Sequence, residues 1–226
     1  MLHKTEPGRI AVIGPMMIDR YITGSVNRIS PEAPVPVLLH GAVRIVAGGA
    51  ANVAANAAAL GASVNLVGIV GADAEADELR KVLADHPAVD LSGLVTDTGR
   101  PTVTKTRVMS GRQQIVRIDA ESASYPLPDV ETAIIAAGTQ AVANADILVL
   151  SDYAKGVLTD SVIAALIQAA KARGIPVIVD PKRRTFEAYR GATLVTPNRR
   201  ELLEATGLAD ETDEQAAIAA SAAARQ

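Results

Sequence analysis

Apolar positions along this chain come in short unbroken runs separated by longer alanine-rich stretches, the rhythm of buried parallel strands alternating with helices. Ile10-Ala-Val-Ile-Gly14 reads as a first buried strand. A β-branched run ending at Gly71, the segment Val89 to Val95, Asp146 to Leu150, Ile175 to Val179 and Thr193 to Val195 repeat the pattern. Between them lie helical stretches: the alanine-rich one opening at Gly48-Gly49 and stopping at Gly61, then Ala74 to Asp85, and Asp129 to Ala143. Further on, one capped by Thr159 or Asp160 runs to Arg173, one opens at Thr196-Pro-Asn198 and ends near Gly207, and one spans Thr212 to Ala224.

Two β-rich stretches break this alternation. Tyr21 to Val26 and Val37 to Val46 flank a proline-rich loop, and Thr102 to Met109 and Arg112 to Ile118 flank Ser110-Gly111, the signature of a hairpin. They predict a small separate sheet over the main one, a lid or a dimer surface, at about 20–46 and 102–119. Val103, Lys105, Arg107 and Met109 share one face by the period of two. Their basic side chains suit an anionic ligand, but the ordinary reading is charge placed on an edge strand against aggregation. Arg112, just past the turn, is better placed to reach into a site.

At 226 residues and 49% hydrophobic, the chain affords a sizeable core, and 2% aromatics make that core aliphatic. The absence of cysteine removes disulfides, thiol catalysis and thiolate metal sites together. His3, His40 and His86 show no ligand spacing. A net charge of −3 argues against general nucleic-acid binding. No segment is long and apolar enough for a bilayer span and the N-terminus lacks a signal pattern, so a cytoplasmic protein is expected.

Candidate chemistry collects where strands end. Asp19, Asp73, Asp152, Lys155, Asp180, Lys182, Asn198 and Glu201 would share one edge of a parallel sheet, where ligands bind. Asp19, expected in a loop after the first strand, could accept hydrogen bonds from a polyol, although a lone loop Asp more often caps a turn. Glycines at Gly48-Gly49 expose backbone N–H groups to a ligand, and Asn52 can donate and accept toward a sugar hydroxyl. The same stretch serves equally as a tightly packed core helix. No Walker-type phosphate loop, G-x-G-x-x-G fingerprint or G-x-S-x-G elbow occurs.

Taken together, the segment from Gly48 to Gly71, the β insertions and Asn198-x-x-Glu201 resemble the ribokinase (PfkB-type) family of sugar kinases. Asp19-Arg-Tyr, Arg28-Ile-Ser-Pro-Glu-Ala-Pro-Val-Pro36, Val116-Arg-Ile-Asp-Ala-Glu121 and Asp152-Tyr-Ala-Lys-Gly156 resemble its bacterial heptose 7-phosphate kinases. The resemblance implies a ribokinase-like three-layer α/β/α fold over 1–226, with a mostly parallel sheet and a small β lid. It also implies ATP-dependent phosphorylation of heptose 7-phosphate at O1, for ADP-heptose and lipopolysaccharide core synthesis, with Mg²⁺, and a homodimer formed through the lid. By position, Asp19, Gly48, Gly49 and Asn52 would hold sugar hydroxyls, and Arg112, Gln114 and Lys155 would lie near the heptose or its 7-phosphate. Lys182, Asn198 and Glu201 would serve the nucleotide side, Glu201 meeting the metal through water. Asn198 and Glu201 also make a capping box. The family's second signature, a G-A-G-D-like run whose Asp activates the acceptor hydroxyl, is not in the sequence, and Asp210 and Asp213 lack its glycines. The fold is therefore expected to be C-terminally incomplete, with no catalytic base in this chain and little turnover by itself. A non-catalytic sugar-phosphate-binding or dimerisation module, or a kinase for another sugar, is the alternative.

Overall fold

The computed structural model describes residues 7–122, 124–208 and 212–224; His3 and Asp210 fall outside them. Among the described residues, ten strands form two sheets, with six helices packed around them. The larger sheet contains β1 (Arg9–Ile13), β4 (Ser63–Val70), β5 (Val89–Thr96), β8 (Ile147–Ser151), β9 (Val177–Asp180) and β10 (Leu194–Val195). Its order is β10-β9-β8-β1-β4-β5, and every pairing is parallel. β1 sits in the middle, with Ile13 level with Val67 on one side and Leu150 on the other.

Alternation along β1 shows why both faces are covered. Ala11 and Ile13 enter a core shared with α3 (Pro128–Ala143) and α4 (Asp160–Arg173), through Ile134, Ile163 and Leu166. Val12 enters the opposite core with α1 (Ala50–Ala59) and α2 (Ala74–Leu83), where Ala50, Ala51 and Ala54 let the helix approach Leu66 closely. The result is the expected three-layer α/β/α arrangement. α5 (Arg199–Thr206) and α6 (Asp213–Ala223) follow β10.

The second sheet has the order β3-β2-β6-β7, from β2 (Met16–Ile29), β3 (Pro36–Gly49), β6 (Val103–Ser110) and β7 (Gln113–Ala120). β2 runs antiparallel to β3 and parallel to β6, and β6 and β7 form the expected hairpin. Four expectations change here. β2 begins at Met16, so Asp19 lies within a strand, opposite Val46 and Lys105, and not in a loop. Gly48 lies within β3, and only Gly49, the strand's last residue, caps the helix. β6 has a neighbour on each side, so Lys105 and Arg107 are not on an edge. The hairpin turns at Gly111-Arg112, which puts Arg112 in the turn itself. Gly41 lies inside β3. It is the extra residue of a bulge, since Thr23 faces Ala42 while Gly24 faces His40.

The two sheets join at tight corners. An ideal Cβ on Gly14 would meet the Ser151 carbonyl oxygen at 2.3 Å, so only glycine fits between β1 and the start of β2. Gly49 has φ +58° and its Cβ would stand 2.5 Å from the Pro15 carbonyl oxygen, which accepts the Ala50 N–H. Asp73 is the other joint. Its carboxylate caps α2 at Ala76 N and accepts from Thr102 N and Oγ1 at 2.7 Å each. Burial works against its ionisation, but these hydrogen bonds carry its pKa below the ordinary carboxylate value. Asp73, a member of the predicted strand-end cluster, is thus held in place by structural bonds.

Candidate functional site

The carboxyl ends of β8 and β9, the start of α5 and the inner face of the second sheet converge around Tyr153. Its hydroxyl pKa is raised by burial first, then by the charges of Asp180, Asp19 and Glu201, with Lys182 acting the other way. Charges from β2, the end of β9 and the start of α5 therefore act on one half-buried phenol.

On one side of this cleft, Asp19 projects from β2 and accepts from Arg107 Nη1. An ideal Cβ on Gly48 would stand 2.6 Å from Asp19 Oδ2, so glycine there leaves room for the carboxylate to lie across β3. Asn52 is exposed in the first turn of α1, its Oδ1 taking a 3.3 Å bond from Asn56. Gly48, Gly49, Asn52 and Asp19 are thus grouped by the end of β3 and the helix that follows it.

Opposite, Lys182 Nζ donates to Glu201 Oε1 at 2.8 Å, and that bond raises the lysine's pKa. Glu201 Oε2 takes the Asn198 N–H and Asn198 Oδ1 takes the Glu201 N–H, both at 2.9 Å. The capping box is therefore fully formed. Burial and the Glu201 charge push the Asp180 carboxyl up, Lys182 opposing them. Each Glu201 oxygen already has one partner and keeps lone-pair capacity. No group of three or more metal-ligating side chains occurs among the described residues. The donor set suits a metal held through water and not one caged by protein oxygens.

Asp152, 4% exposed, takes Tyr189 Oη at 2.7 Å, Arg183 Nε at 3.2 Å and Ala154 N at 2.7 Å. Burial and Asp152 together push the Tyr189 hydroxyl far up. Asp152 therefore anchors the loop after β8, where Ala154 takes the left-handed φ of +51°. Lys155 on that loop pairs with Glu121 at 2.6 Å. Beside it, Arg100 pairs with Asp97 at 3.0 Å and donates to the carbonyls of Ser124 and Lys155. Lys155 so marks a seam between the exit of β7 and the β8–α4 loop. Arg112 and Gln114 are exposed near the outer end of the hairpin, four or more residues beyond the row that holds Asp19.

The sequence alone does not single out Tyr153, and it leaves Arg107 between a contact for an anion and charge on an edge. Tyr153 lies inside the Asp152–Gly156 match, yet a tyrosine in a loop carries no charge signal. For Arg107 the edge is the ordinary reading, and β7 covers that edge.

The model of the pfkB family carbohydrate kinases matches residues 8–226. The chain belongs to this family. It is 69% identical over 226 residues to the "Bifunctional protein HldE" of Azorhizobium caulinodans, covering all of this chain and 47% of that protein. It is 48% identical over 208 residues to the "D-beta-D-heptose 7-phosphate kinase" of Bordetella bronchiseptica, covering 92% of this chain and 64% of that one. The chain spans about half the length of the bifunctional relatives it matches. Among solved structures, Arabidopsis thaliana ribokinase complexed with ribose and ATP superposes with a TM-score of 0.73 at 24% identity, covering 97% of this chain and 69% of that one. The tetrameric inhibited form of Escherichia coli phosphofructokinase-2 gives 0.72 at 22%, with 96% and 69% covered. At such identities these two speak for the fold, the ribokinase-like one that the sequence implies.

Proposed function

We propose that the chain carries the sugar-binding part of an ATP-dependent kinase that phosphorylates D-glycero-β-D-manno-heptose 7-phosphate at O1. Its product would feed ADP-heptose and lipopolysaccharide core synthesis in the cytoplasm. The observation that carries the reading is that the Asp19 carboxylate, lying across Gly48, and the Lys182–Glu201 pair all act by their charges on Tyr153. A polyol set on Asp19 there has its acceptor hydroxyl turned toward the cations that would receive a triphosphate. The names borne by the relatives supply the heptose.

In this reading Asp19, the backbone at Gly48 and Gly49, and Asn52 orient the sugar. Lys182 steadies the phosphoryl groups as a point charge. Glu201, held by Asn198, receives magnesium through water, and the ion, when bound, offsets the charge of the triphosphate. Lys155 and Gln114 remain proposed contacts of the heptose phosphate, Lys155 through the seam it shares with Glu121, whereas Arg112, in the hairpin turn, is out of reach of a sugar on Asp19 of the same chain. A second copy is proposed to pair on the outward side of the second sheet. There Val43, Ile22, Val108 and Val116 form one row across four strands. Val43 at 48%, Val116 at 46% and Ile118 at 58% exposure give that face its apolar surface. No helix among the described residues is long and apolar enough to cross a membrane.

Calorimetric titration with heptose 7-phosphate, with and without a non-hydrolysable ATP analogue, tests the reading. Binding of the sugar phosphate that D19A reduces at least about tenfold, as loss of charge-assisted hydrogen bonds requires, supports it. Tighter binding of a different sugar would replace the substrate, and sugar binding indifferent to D19A would remove the site.

A further inference from the structure

The inner side of the second sheet carries more positive charge than Asp19 neutralises. Paired residues on neighbouring strands point to the same face, so the face bearing Asp19 can be followed row by row. In one row Asp19 is opposite Lys105, which is opposite Asp119. In the next row outward Arg44, Tyr21, Arg107 and Arg117 cross all four strands. Four cations thus stand against two carboxylates. Arg44 and Arg107 both stack on the Tyr21 ring, 4.8 and 5.2 Å from its centroid, which holds the two guanidiniums in place. Arg107 gives Nη1 to Asp19, and Arg117 spends Nε and Nη2 on Asp119 at 2.9 Å each. Among the described residues, neither Lys105 nor Arg44 has an acidic partner within ion-pair distance, and Lys105 is half-buried between two strands.

We propose that this face is the seat of the phosphate of a phosphorylated sugar, with Lys105 as its principal contact and Arg44 and Arg107 beside it. The proposal rests on the reading that Asp19 receives the sugar, and it adds where the phosphate lies. Two residues along a strand span about 7 Å, so the arginine row starts one sugar's length outward from Asp19. By the same measure Arg112 is about 23 Å beyond Lys105, too far for a ligand held on Asp19 of the same chain. A compact ammonium flanked by guanidinium forks matches a phosphate dianion, whereas a neutral sugar terminus has no use for them. The alternative of charge placed on an edge fails, because β7 covers β6.

The test is calorimetry on the full chain with pairs of sugars that differ only by phosphate: heptose and heptose 7-phosphate, fructose and fructose 6-phosphate, ribose and ribose 5-phosphate. Wild type should favour the phosphorylated member of its preferred pair by about tenfold or more. K105Q and R44Q should each erase most of that preference, K105R should keep it, and affinity for the unphosphorylated member should not move. Circular dichroism melts of each variant should overlay wild type. A preference for another phosphorylated sugar, lost in K105Q, leaves the seat standing and removes heptose. A heptose 7-phosphate preference that survives both K105Q and R44Q removes the seat and leaves the functional reading intact. Equal loss for both members of a pair, or no phosphate preference in wild type, also overturns the seat. A chain that takes none of these sugars sinks the functional reading and the seat with it.

Discussion

Glu201 holds a helix start and a lysine with the same carboxylate, and the two roles can be separated. A capping box accepts glutamine as well as glutamate at its third position. E201Q should therefore keep α5 capped and shift the urea midpoint little, while Lys182 loses its ion pair. The affinity for magnesium–ATP should fall, as read by titration. N198A removes the cap itself and should cost about 1 kcal/mol in the same urea melts. Were E201Q to lower stability as much as N198A while leaving nucleotide affinity alone, Glu201 would be a cap and nothing more. Asp180 allows a test by pH. Burial and the Glu201 charge raise its folded pKa above the ordinary value. Its contribution is thus present in acid and lost as pH rises through the raised value, because ionisation then disfavours the folded state. D180N should be more stable than wild type at neutral pH, with the advantage vanishing below about pH 4, near the unperturbed Asp pKa. A stability difference that stays constant across that range would show that Asp180 is not strained by charge.

At the scale of elements, the joint between β3 and α1 offers two adjacent glycines with different duties. At Gly49 a side chain meets backbone, and φ is +58°. G49A should cost about 1–3 kcal/mol in stability, the range for residues held in sparsely populated backbone regions. At Gly48 the nearest atom is the movable end of Asp19, followed by Met17 Cβ at 3.2 Å. G48A should therefore melt close to wild type yet bind sugar poorly, because the methyl displaces the carboxylate. Equal melting losses in the two variants would deny Gly48 its separate role. The helix start was legible because Gly-Gly before an alanine run has few other uses. What hid Asp19 inside a strand was Pro15. A proline and two methionines after β1 look like a loop, but Met16, Met17 and Ile18 are all buried, and the chain turns at Gly14 to begin β2 at once. Strand alternation was correct for Lys105 and Arg107. Their environment was not, because pairing between β2 and β6 joins segments some 85 residues apart, which no local pattern reports.

Across the whole molecule, the α/β rhythm was readable since the inner strands of the larger sheet, β1, β4 and β8 above all, are covered on both faces and so appear as continuous apolar runs. The second sheet obeys a different rule, one face toward the cleft and one outward, and its outward row of Val43, Ile22, Val108 and Val116 is apolar where solvent would favour polar residues. Near its base that face is covered, Arg20 pairing there with Glu78 of α2 at 2.5 Å. Past α2 nothing in the chain covers it among the described residues, and an apolar patch on a sheet is where a second copy would bury surface. Sedimentation velocity across a concentration series should show a dimer for wild type. V116K and I118K, which place ammonium groups on the outward face, should shift it to monomer without changing the melt of the dissociated chain. Neither residue faces Asp19, so the sugar affinity of the monomer should match that of the dimer if each cleft is complete in one chain. Dissociation accompanied by loss of sugar binding would instead mean that the partner completes the cleft. A wild-type monomer at every concentration would leave the outward row without the partner proposed for it.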